Sequence, residues 1–132
     1  MKLFKNLSLI LVLSLTVMAC GQKEGVYFEN LEDGQEVGTS VLVKMGVSGM
    51  EIKPAGEVEK GFGHHHIIID GSSVALGEMV PADKTHIHFG KGQTETTLEL
   101  APGEHTLTLQ FANGVHQSFG PDWSKTITVT VK

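Results

Sequence analysis

A chain of 132 residues is about one domain long, and fifteen acids against ten lysines give a net charge of −5. It has no arginine, so nucleic acid and anionic lipid headgroups are poor partners. A single cysteine excludes an internal disulfide and any zinc or iron–sulfur site built from several thiolates.

The first twenty residues read as a targeting segment. Lys2 and Lys5 make a basic start, and Leu7 to Ala19 is an apolar run too short to span a bilayer permanently. The run ends in Val17-Met18-Ala19-Cys20, which resembles the lipobox of bacterial lipoproteins. That resemblance implies a signal peptide over residues 1–19, cleavage before Cys20 and lipidation of Cys20, which would anchor the protein to a membrane. Gly21 stands where an inner-membrane retention signal would place Asp, so the expected address is the cell envelope, on the outer membrane. Cleavage would remove Lys2 and Lys5, leaving eight lysines against the fifteen acids and a charge of −7.

Residues 20–25 read as a lipidated tether and residues 26–132 as one domain. Val26 to Phe28 is a first short strand, Asp33-Gly34 a turn, and Val41 to Val47 the next strand. Residues 48–62 form a polar loop containing Gly and Pro, long enough to suspect a role in binding. His64-His65-His66-Ile67-Ile68-Ile69 follows, ending at the Asp70-Gly71 turn; its β-branched run favours an extended strand. Residues 71–84 are rich in turns. Thr85 to Phe89 is a strand, Gly90 to Gln93 a hairpin loop, and Thr94 to Leu100 the strand expected to pair with it. His105 to Phe111 and Lys125 to Val131 alternate apolar and polar residues, separated by the Asn113-Gly114 turn. No stretch after residue 20 sustains a helical period. The reading is an all-β fold, an immunoglobulin-like antiparallel β-sandwich of about seven strands. His105 stands at the corner before the penultimate strand and reads as a hydrogen-bonded structural residue. Met45 alternates with core valines.

Strand geometry puts His64 and His66 on one face, about 6.5–7 Å apart at Cα, and His65 on the other with Ile67 and Ile69. Two imidazoles at that spacing can reach one metal ion. Gly63-His64-His65-His66-Ile67-Ile68-Ile69-Asp70, His88-Phe89-Gly90-Lys91-Gly92-Gln93-Thr94-Glu95, Pro102-Gly103-Glu104-His105-Thr106-Leu107 and then His116 follow in that order. Together they resemble the bacterial domain-of-unknown-function family numbered 4399, over most of residues 37–131. The resemblance implies a small exported protein and brings no established activity. Members tend to carry further Asp, His and Pro near the last histidine, where this chain has Asn113 before it and Gln117-Ser118-Phe119-Gly120-Pro121 after it.

Metal binding is the first functional expectation, with copper or zinc as cofactor and His64, His66, His86, His88 and His116 as candidate ligands. Met45, Met50 and Met79 are further candidate soft donors for Cu(I), although the alternation of Met45 with core valines reads as core. In an immunoglobulin topology the triple-His strand and the His86/His88 strand would lie in different sheets, so the two pairs are expected not to converge. The competing expectations are structural histidines that fix strand register, and an envelope module binding a protein partner through residues 48–62 or 112–124 with Phe119 and Trp123. Thr85-His86-Ile87-His88-Phe89-Gly90 also resembles a segment of Cu/Zn superoxide dismutases. Those enzymes need a disulfide and a channel arginine that this chain lacks. No hydrolase or nucleotide-binding motif is present, and the chain is expected not to be an enzyme.

Overall fold

In the computed structural model, which describes residues 21–132, strands form wherever the β-branched and alternating runs lie. The expected signal peptide over residues 1–19 and the lipidated Cys20 lie outside the described residues. The strands are β1 (Gly25–Phe28), β2 (Gln35–Val37), β3 (Ser40–Ser48), β4 (Glu51–Ile52), β5 (Phe62–Ile69), β6 (His86–His88), β7 (Glu95–Glu99), β8 (Gly103–Ala112) and β9 (Ser124–Val131). A 3-10 turn, Pro121–Trp123, leads into β9.

The smaller sheet has the order β1-β3-β7 and the larger one β2-β9-β8-β5. Two short strands share the far edge of β5: β4 lies along Phe62 and Gly63, and β6 along His66 to Ile68. The pairing is antiparallel except for β2 with β9 and β4 with β5. The fold is therefore the expected all-β sandwich, with two short parallel pairs and two brief strands, β2 and β4, that the sequence did not announce.

Alternation decides the core. Val41, Val43 and Met45 of β3 face Ile67 of β5, Leu107, Leu109 and Phe111 of β8, and Ile127 and Val129 of β9, in one buried cluster between the sheets. Met45 is 1 % exposed, a core residue as expected.

Two expectations about strand order need correction. Thr85–Phe89 and Thr94–Leu100 do not form a hairpin: β6 pairs with β5 in the larger sheet, and β7 pairs with β3 in the smaller one. Residues 89–94 thus cross between the sheets, because Phe89 and Leu98 both bury in the core from opposite sides. The triple-His strand and the His86/His88 strand are not in different sheets either. They are neighbours, with His66 opposite His88 and Ile68 opposite His86.

The outer face of the larger sheet is not open to water at this edge. His64, His66 and Ile68 of β5 are there, beside Gln110 and Thr108 of β8, and all five are fully buried. The strap of residues 71–84 returns over them after the Asp70-Gly71 turn, burying Val80, and pairs with the loop that follows β8 through Met79–Gln117 and Val80–His116 contacts.

Candidate metal centre

β5 delivers His64 and His66 to the roofed face, and β6 places His88 directly across from His66. The fourth histidine arrives from the loop after β8. Asn113 builds that loop: its Oδ1 accepts hydrogen bonds from the backbone N–H groups of Val115 and Gln117, at 3.0 Å each. His116 closes the turn with φ 67, a left-handed conformation that costs a residue with a side chain about 1 kcal/mol or more. The carbonyl of His116 is held by the N–H of Val80 at 2.9 Å. The backbone strain has a geometric outcome, which is an imidazole aimed at the β5 histidines.

His116 Nδ1 is the hub. It lies 3.0 Å from His64 Nε2, 3.3 Å from His66 Nε2 and 3.2 Å from His88 Nδ1. Among the described residues, His64, His66 and His116 form a group whose ligand nitrogens all lie within 4.8 Å of one another, and His88 adjoins it. Tetrahedral Zn–N bonds of about 2.0–2.1 Å would separate neighbouring nitrogens by about 3.3–3.4 Å. The three hub distances fall close to that spacing.

Tautomers sharpen the picture. His66 Nδ1 sits 3.3 Å from the carbonyl of Gln110, and His88 Nε2 sits 2.6 Å from the carbonyl of Pro81. A carbonyl only accepts, so each of those ring nitrogens carries the proton. The opposite nitrogens, His66 Nε2 and His88 Nδ1, therefore present lone pairs to the hub. Carbonyl acceptors behind imidazoles that face a common point are the usual outer shell of a histidine metal site. Within the cluster itself, His116 Nδ1 has at most one proton to offer three surrounding nitrogens. His64 Nδ1 is buried and has no partner among the described residues.

Charge is resisted at His64, His66 and His116. Burial first, then the neighbouring rings of His116 and His88, pushes His64 down to about 4. Burial and the surrounding imidazoles push His66 down to about 2. His116 is lowered as well, by burial and by His88. At neutral pH these three rings are the neutral donors that a metal requires.

A model of the family described as "Domain of unknown function (DUF4399)" matches residues 43–132. The chain belongs to the DUF4399 family. No curated protein and no solved structure matches it.

All four converging histidines lie within the DUF4399 match. The other three histidines of this DUF4399 chain are placed differently. His86 is not in the cluster: its Nδ1 faces Asp83 Oδ1 at 2.8 Å, and that carboxyl is lowered to about 2 by His86 and by the backbone of Thr85. His105 has both ring nitrogens engaged, Nδ1 with Asp70 Oδ2 and Nε2 with the carbonyl of Ala101, each at 2.8 Å. It is the corner residue that the sequence suggested. His65 faces the core, its ring edge-on to Phe111 at 5.1 Å, with neither nitrogen partnered. Phe119 and Trp123 pack partly buried against the core cluster, next to Phe111.

Sequence reasoning missed Gln110 and Pro81 as supports. Gln110 stands at a polar position of β8 between Leu109 and Phe111, so alternation marked it as outward-facing but not as roofed. Pro81 acts through its carbonyl, which leaves no trace in residue type.

Proposed function

We propose that this protein is a metal-binding protein of the cell envelope, holding one copper or zinc ion on His64, His66, His88 and His116. The observation that carries the reading is the inward-facing set of lone pairs, with the His66 and His88 tautomers held by backbone carbonyls. Imidazole lone pairs that face one point repel one another and attract a cation. A bound ion would also give the left-handed His116 its reason.

The envelope address rests on the lipobox-like Val17-Met18-Ala19-Cys20 and its cleavage, with Cys20 as the membrane anchor. The role is carriage or storage of the ion rather than catalysis. Two of the four rings are fully buried, and a catalytic metal needs an open coordination place for its substrate. Delivery to an envelope partner is the function such a site serves.

Calorimetric titration of metal-free protein with Zn(II) and with Cu(II) tests the reading. One ion per chain is expected, with submicromolar affinity. His64→Ala, His66→Ala and His116→Ala should each weaken binding on the order of 100-fold, while His86→Ala and His105→Ala leave it unchanged. Binding that survives His116→Ala unaltered would sink the assignment.

A further inference from the structure

The charge of the donor set says more than the number of donors. Among the described residues, the side chains that meet His64, His66 and His116 through ring nitrogens are one another and His88, with no carboxylate among them. Asp83, from the neighbouring strap, is engaged with His86 and Thr85 at the exposed end of β6. The supports behind the rings are the neutral carbonyls of Gln110 and Pro81. A divalent ion here would leave a net charge of +2 in a site where two rings are fully buried. A monovalent ion would leave +1. The cost of burying an ion grows with the square of its charge, so the divalent ion carries about four times the desolvation penalty.

We infer, building on the metal-site reading above, that the resident ion is Cu(I) and that the site discriminates against Zn(II). Both ions have a filled d shell and impose no geometry of their own, so charge and softness decide between them. Imidazole serves both ions. Structural zinc sites commonly add thiolates, and this donor set has none to neutralise the second charge.

Competition measures this directly. The full chain, metal-free and under anaerobic reducing conditions, is offered Cu(I) from a chromophoric chelator of known affinity, in the presence of excess Zn(II). Cu(I) should load to one per chain and resist at least a 100-fold excess of Zn(II). A second variant keeps the outcome clear of folding effects. His88→Asp, at the half-buried edge strand, supplies the missing negative charge and should shift the preference toward Zn(II) by on the order of 100-fold or more. Zn(II) displacing Cu(I) from the native protein would overturn the Cu(I) inference and leave the metal site standing. Binding of neither ion would remove the site and the inference with it.

Discussion

Three consecutive histidines on β5 have opposite roles because a strand turns alternate side chains to opposite faces. His64 and His66 face the roofed outer surface and find other imidazoles. His65 faces the apolar core, where both nitrogens are buried without a partner, and burial pushes it down to about 4. A buried polar group left unpaired costs about 1–3 kcal/mol. His65→Leu, close in volume and fully apolar, is therefore expected to raise stability by about 1–2 kcal/mol in urea unfolding. Metal affinity should not change, since His65 contributes nothing to the hub. Lower stability in the variant would mean that the imidazole has partners in solution, and would reopen its role.

At the level of elements, the site depends on the strap of residues 71–84, which makes a buried surface out of an outer sheet face. Gln110 ties that strap down. Its Oε1 accepts from the N–H of Val74 at 2.9 Å, and its Nε2 donates toward the carbonyls of Gly120 and Trp123 at 3.0 and 3.3 Å. Gln110→Leu keeps the volume and removes every one of these bonds, leaving several groups of the strap and the following loop unpaired. A loss of about 2–3 kcal/mol is expected, with faster hydrogen exchange at the Val74 amide as the local signature. Retained protection at Val74 would show that the strap is held by its own packing instead. The sheet strands themselves were legible from the sequence, because Ile67 to Ile69, Leu107 to Phe111 and Ile127 to Val131 declare their period locally. The pairing was not. Whether β6 lies beside β5 or in the opposite sheet depends on where residues 71–84 travel, and that stretch has no periodicity to read. So the candidate ligands were visible one by one, while the adjacency of His66 and His88 and the exclusion of His86 were set by tertiary register. His116 could be named but not placed, since its left-handed turn depends on Asn113 Oδ1 and on the Val80 contact from a distant segment.

For the whole molecule, four histidines that resist charge make stability depend on pH in a definite direction. Above the ordinary value of 6.5 these rings are neutral in both folded and unfolded chains, and protons do not bear on folding. Below 6.5 the unfolded chain takes up protons that the folded rings refuse, so stability falls as pH falls. For His64 and His65 the fall continues down to about pH 4, and for His66 further, to about 2. Each such ring shifts the folding equilibrium about tenfold per pH unit within its window. His105 acts in the other direction. Its hydrogen bond to Asp70, then that to Ala101, raises its value, so its contribution is fully present below 6.5 and is lost as pH rises through its folded value. Its window lies above 6.5, so it leaves the slope below 6.5 unchanged. Urea unfolding of the metal-free protein between pH 6.5 and 4 should therefore show a steep loss of stability. The same series on His65→Leu should be shallower by about one proton, because one refusing ring has gone. Equal slopes in the two proteins would mean that His65 is protonated in the fold as readily as in the unfolded chain, and that burial does not control its charge.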